Sequence, residues 1–156
     1  MTAPIQTRLA DPAEAEPLLR AYWAYIAERY PPDICYNYDL DELRGAAVAF
    51  FVAERAKGDE RALVGCVAFV DKGDGEGELK SMYVSETARG SGAADALVAA
   101  VEAEARRRGC AVVLLETGDV LTAAQRLYAR HGYEKRGPFG CYPDSPRLVF
   151  MEKRLD

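Results

Sequence analysis

The chain has 156 residues, 49% of them hydrophobic, and a formal net charge of −5. That suffices for one well-filled core and is short for two ordinary domains, so residues 1–156 are expected to form a single domain. The 29% of charged residues and the mix of Leu, Val, Ala and Tyr exclude disorder, and the basic residues are scattered apart from Arg106-Arg107-Arg108, which leaves no footprint for nucleic acid.

The first residues lack the apolar run of a signal peptide, and no later stretch approaches the ~20 apolar residues of a bilayer span. A cytoplasmic protein without a membrane partner is expected. Cys35, Cys66, Cys110 and Cys141 are far apart, with neither zinc-site spacing nor the density of a disulfide scaffold. They are expected to be reduced thiols, with Cys66 and Cys110 packed in the core.

A first strand is predicted around Pro4 to Leu9. Asp11-Pro12-Ala13-Glu14 then reads as a helix cap, a proline at the first helical position and an acid in the first turn. The helix it starts carries Leu18, Leu19, Tyr22, Trp23 and Ile26 on one face and ends at Pro31-Pro32. A tyrosine-bearing loop (Tyr30, Tyr36, Tyr38) and a short helix from Leu40 follow. Strands near Val48 to Glu54 and Ala62 to Val70 flank Lys57-Gly58-Asp59 as a hairpin. After a Gly/Asp-rich turn from Asp71 to Gly77 comes a strand, Glu78-Leu79-Lys80-Ser81-Met82-Tyr83-Val84, whose alternation puts Glu78, Lys80, Met82 and Val84 on one face.

Arg89-Gly90-Ser91-Gly92-Ala93-Ala94 leads into a helix with Ala94, Leu97, Val98, Val101 and Ala105 at helical spacing, stopped by Gly109. Ala111 to Glu116 reads as a buried strand parallel to the one before that helix. A short helix from about Thr122 to His131 and strands near Tyr133 to Arg136 and Arg147 to Lys153 complete the expected architecture. The expectation is an α+β fold with a mixed sheet of six or seven strands and about four helices on both faces.

The loop at Arg89 to Ala94 joins a strand to a helix N-terminus, where free N–H groups and the helix dipole favour an anion. Gly90 and Gly92 permit close backbone approach, and Arg89 adds a cationic donor. A Walker A loop is excluded, because Ala93-Ala94-Asp95 stands where Lys-Ser/Thr is required. A Rossmann fingerprint would sit early in the fold, and this loop follows four strands.

The pattern R-x-x-G-x-A after E-L-K-S-M-Y-V resembles the acetyl-CoA-binding segment of the GNAT superfamily of acetyltransferases. A-A-Q-R-L-Y-A-R-H-G-Y from Ala123 to Tyr133 is similar to that family's second motif. The resemblance covers roughly Gly77 to Glu152, and the segment G-P-F-G-C-Y-P-D-S-P-R-L-V-F-M-E-K looks like a bacterial subgroup. It implies the acyl-CoA N-acyltransferase fold and an acetyl-CoA-dependent N-acetyltransferase that works by direct attack in a ternary complex. Coenzyme A contacts are implied for Arg89, Gly90, Ser91, Gly92, Ala93 and Ala94, and for the backbone at Met82, Tyr83 and Val84. Leu121 departs from the family by replacing a polar residue three positions before Ala124.

Acetyl transfer needs an amine freed of its proton, since an alkylammonium has a reference pKa near ~10.4. Glu78, eleven residues before Arg89, stands at the offset of the base in some family members; the alternatives are a solvated charge or an ordered water. By resemblance Tyr128 is the acid that protonates the departing thiolate, and core packing is its other reading. His131 is read as a helix C-terminal residue, and the lack of His and Cys clusters speaks against a metal. An acceptor pocket is expected from Tyr22, Tyr25, Tyr36, Phe139 and Tyr142, for a small-molecule amine, although any of these could be packing residues. A protein lysine or N-terminus, or a non-catalytic acyl-CoA-binding module, stays open as an alternative, as does a homodimer.

Overall fold

The computed structural model describes residues 4–156. Strand β1 (Ile5–Leu9) leads to Asp11, whose side chain accepts from the Ala13 amide while Glu14 reaches back to the Asp11 amide. The turn so capped is a 3-10 turn over Pro12–Ala15, and α1 (Glu16–Ala27) begins only after it. A second capping box, Asp39 with Glu42, starts the one-turn helix α2 (Leu40–Leu43).

Three antiparallel strands follow: β2 (Val48–Lys57), β3 (Glu60–Gly73) and β4 (Glu76–Val84). The turn before β4 is tighter than its Gly/Asp composition suggests. Only Asp74 and Gly75 lie between the strands, both with positive φ, as a two-residue hairpin turn requires. Then come α3 (Ala93–Arg107), β5 (Val112–Gly118), α4 (Thr122–Arg130), β6 (Glu134–Arg136) and β7 (Leu148–Arg154). The strands form one seven-stranded sheet in the order β1-β2-β3-β4-β5-β7-β6, with β4 and β5 as its parallel pair. Seven strands and four α-helices match the expected α+β architecture of six or seven strands and about four helices.

The sheet is covered on both faces. Under α3 lie Val67, Phe69, Leu79, Val113, Leu115 and Met151, against Leu97, Val98 and Val101. Under α1 and α2 lie Phe50, Val52, Cys66 and Ala68, against Ala15, Leu19 and Leu43. Cys66 and Cys110 are buried, and all four cysteines are free thiols.

The expectation that Glu78, Lys80, Met82 and Val84 share one face is overturned. Opposite β3 the register slips between Cys66 and Ala68, which pair with Tyr83 and Lys80, so β4 carries one extra residue there. Ser81 sits in this bulge with φ of 57°. The extra residue inverts the alternation: Leu79, Met82 and Val84 belong to the α3 face, while Tyr83 packs on the α1 face. Glu78 and Lys80, which alternate with Leu79, are on the α1 side with Tyr83.

Candidate functional site

The bulge marks the place where the parallel pair comes apart. Pairing of β4 with β5 runs from Glu76↔Val112 to Leu79↔Leu115 and stops, although β4 continues to Val84 and β5 to Gly118. Between the diverging ends lies a cavity of about 800 Å³, within the size range of small-ligand sites.

One wall of the cavity is the loop Arg89 to Ala94 with the start of α3. Gly92 caps α3 with φ of 91° and Gly90 has φ of 81°, in a region that side-chain-bearing residues rarely adopt. The Ser91 hydroxyl accepts from the Ala93 amide at 3.3 Å, while the next amides head the helix with no carbonyl before them. Arg89 is exposed and makes no ion pair among the described residues. Met82, Tyr83 and Val84 line the same cavity. Beyond Leu79 the β5-facing backbone of β4 has no strand partner, which leaves it open to an extended ligand. All nine residues expected to hold a cofactor are therefore brought together, and their free amides, open glycines and unpaired cation fit a phosphorylated ligand with a long arm.

Asp95, in the first turn of α3, would oppose an anion there if it stood alone. It accepts from Arg130 at 2.8 Å and lies 2.7 Å from His131 Nε2. Those two partners, Arg130 first, hold its carboxyl below the ordinary range. His131 ends α4 as expected, and its bond to Asp95 ties that end to the start of α3.

The opposite wall is aromatic. Tyr22, Tyr25, Tyr30 and Tyr36 line it with Ile26 and Ile34, and Tyr22 and Tyr25 lean on Tyr83 with ring centroids 6.2 and 6.4 Å apart. Tyr30 closes this end. Its hydroxyl donates to Asp119 at 2.9 Å and accepts from the Val120 amide at 3.1 Å, and Arg147 lies over its ring. Phe139 and Tyr142, expected in the pocket, stand outside its lining. They stack with Phe150, and Tyr142 also meets Tyr36 edge-on at 5.2 Å.

Tyr128 of α4 lines the cavity and is 5% exposed. Burial, and then the nearby Glu116 carboxylate, push its phenol upward, so it stays protonated. Glu78 does not line the cavity. It is 1% exposed, accepts from the Tyr142 hydroxyl at 2.6 Å, and lies 3.6 Å from Lys80 and 3.5 Å from Lys72.

Besides the paired Asp95, the carboxylate that lines the cavity is Glu116 of β5, which sequence reasoning passed over. Burial pushes it up to about 7, eased by the Lys80 charge and reinforced by Glu78. A signal was available, since Glu116 is the lone acid closing an apolar strand at its C-terminal edge, where open sheets bind ligands. Among the described residues no group of His, Cys, Asp and Glu is placed to hold a metal, and no helix is long and apolar enough to cross a membrane.

The sequence profile of the acetyltransferase (GNAT) family matches residues 13–133. An IAA acetyltransferase from Azospirillum brasilense is 39% identical over 132 residues, covering 84% of each chain. The crystal structure of an acetyltransferase of the GNAT family from Staphylococcus aureus superposes with a TM-score of 0.79 at 16% identity, over 98% of this chain and all of that one. The PaiA N-acetyltransferase from Thermoplasma acidophilum, in complex with coenzyme A, superposes with a TM-score of 0.75 at 16% identity, over 97% of this chain and 99% of that one.

Proposed function

The chain belongs to the acetyltransferase (GNAT) family and is an acetyl-CoA-dependent N-acetyltransferase; we propose that it acetylates a small primary amine with an apolar or aromatic body, using Glu116 as base and Tyr128 as acid. The observation that carries this reading is that both side chains face one cavity, where β4 and β5 separate, between the glycine loop and the aromatic wall.

Acetyl-CoA supplies the thioester whose carbonyl carbon the acceptor nitrogen attacks as the C–S bond breaks. Arg89 and the free amides at the head of α3, just after Ala93, hold the pyrophosphate, and the unpaired edge of Met82 to Val84 holds the arm. A carboxyl that titrates near 7 is ionised in the working range yet basic enough to take the proton of the acceptor ammonium. The Tyr128 phenol keeps its proton until the sulfur leaves, then donates it to a thiolate with a reference pKa of about 8.5. Glu78 is replaced as the base because its oxygens are already committed to Tyr142, Lys80 and Lys72.

The aromatic wall, which carries no unpaired carboxylate among the described residues, favours an acceptor with one amine and an apolar body. The name of the Azospirillum relative, IAA acetyltransferase, supports a small acceptor.

The test is the pH dependence of kcat/KM with an acceptor found by screening small amines for thiol release. Activity rises with pH through about 7 in the native enzyme. Glu116→Gln loses that limb and about 10²-fold in rate, and Tyr128→Phe loses about 10²-fold in kcat without changing acetyl-CoA affinity. An acid limb that survives Glu116→Gln overturns the base assignment.

A further inference from the structure

Glu78 and Lys80 form a buried ion pair that the transfer chemistry does not use. Lys80 is 8% exposed and Glu78 1%. Lys80 Nζ donates to the Tyr142 hydroxyl at 2.8 Å, and that hydroxyl donates to Glu78 Oε2 at 2.6 Å. The ammonium also sits 4.9 Å from the centre of the Tyr38 ring and 5.4 Å from that of Tyr142. Burying an ammonium and a carboxylate is costly, and an apolar pair of the same size would often be at least as stable.

The sheet register shows what the pair faces. Glu78 is opposite Leu114 and Leu79 opposite Leu115, so Lys80 and Glu116 stand across from each other one step beyond the last paired residues. Both are on the α1 side, and both line the cavity. The bulge comes immediately after Lys80, so the strand leaves β5 only once Lys80 has been set against Glu116.

We propose that Lys80 is a positioning residue for acetyl transfer: clamped by Glu78 and Tyr142, its ammonium holds Glu116 as a carboxylate when the acceptor ammonium arrives. This rests on the reading of Glu116 as base. The titratable groups coupled to Glu116 are Tyr22 of α1, Cys35 of the segment after α1, Glu78 and Lys80 of β4, Tyr128 of α4 and Tyr142 of the C-terminal loop, while β7 sets the apolar Phe150 opposite it. Burial pushes the three phenols and the thiol upward, so they are neutral in the working range. Lys80 and Glu78 are then the charges acting on Glu116, with opposite sign. The pairing has a function: Lys80 alone would drive Glu116 towards the ordinary carboxylate range and weaken it as a base, and Glu78 offsets that pull.

The opposite signs give a test that a merely structural role would not pass. The acid limb of kcat/KM is compared in the native enzyme, Lys80→Met, Glu78→Gln and Lys80→Arg. Removing the ammonium moves the limb to higher pH by about one unit or more, and removing the Glu78 charge moves it to lower pH. Lys80→Arg, which keeps the charge, leaves it near its native position. Should Lys80→Met fail to fold, Glu78→Gln and Lys80→Arg carry the comparison. Limbs that do not move, or that move in the same direction in Lys80→Met and Glu78→Gln, overturn the proposal. If Glu116→Gln retains the limb, it is the base assignment that has failed; if Glu116→Gln abolishes it while the β4 variants leave it in place, only the role of Lys80 falls.

Discussion

Gly118, the last residue of β5, has no side chain because the Tyr30 phenol occupies the space. Its backbone needs no positive φ, so the constraint is steric alone. A Cβ there would fall well inside van der Waals contact of the Tyr30 hydroxyl oxygen and Cζ, and 2.8 Å from Cε2. Tyr30 cannot yield freely, since its hydroxyl is fixed between Asp119 and the Val120 amide and Arg147 covers its ring. Gly118→Ala therefore either overpacks the site, at about 1–3 kcal/mol, or expels the ring and forfeits two hydrogen bonds at roughly 0.5–1.5 kcal/mol each. A loss of about 2 kcal/mol is expected by either route, and at roughly 2–4 °C per kcal/mol Tm falls by about 4–8 °C. Urea unfolding of Gly118→Ala, Tyr30→Ala and the double variant measures this directly. Once Tyr30 is truncated, the added methyl of Gly118→Ala should cost almost nothing. Additive losses in the double variant, or a native-like midpoint for Gly118→Ala, would refute the contact as the reason for the glycine. Because Tyr30 walls the acceptor end of the cavity, Gly118→Ala should also raise the acceptor KM more than it changes acetyl-CoA affinity.

Arg89→Ala should weaken acetyl-CoA binding about 10-fold or more with little change in kcat, and native affinity should fall with added salt, both read by calorimetry. Asp95→Asn should cost less than about 1 kcal/mol at pH 7, since the carboxylate is half exposed. The folded state lowers the Asp95 pKa, so its contribution is present above the unfolded value and is lost as pH falls through the folded one. The difference from the native protein in urea midpoints should thus vanish in acid; one that persists there would point to packing instead.

Much of the glycine-loop side of the cavity could be read in the sequence because local chemistry fixes it. The two glycines at positive φ, the start of α3, the parallel apolar strand β5 and the placement of Tyr128 each follow from residue type and short-range period. The aromatic wall was half legible. Tyr22, Tyr25 and Tyr36 reach the cavity, but Phe139 and Tyr142 belong to a loop without regular structure, and only the tertiary fold decides that they stack on Phe150.

The opening of the site could not be read, and the reason is a single residue. Glu78-Leu79-Lys80-Ser81-Met82-Tyr83-Val84 alternates cleanly, and no glycine or proline marks a break. Ser81 nonetheless takes up a left-handed φ, at an intrinsic cost of roughly 1–2 kcal/mol, with its hydroxyl buried and unpartnered. The return on that strain lies in the sheet. By inverting the faces after Lys80, the bulge sends Tyr83 to the acceptor side and Met82 and Val84 to the core under α3, and it turns β4 away from β5. Regular alternation would have kept Lys80, Met82 and Val84 together and let the parallel pairing continue past Lys80, closing the space that Glu116 and Tyr128 now share. The departure from local rule and the opening of the site are therefore the same event, which is why the alternation that identified the strand placed Met82 and Val84 on the wrong face.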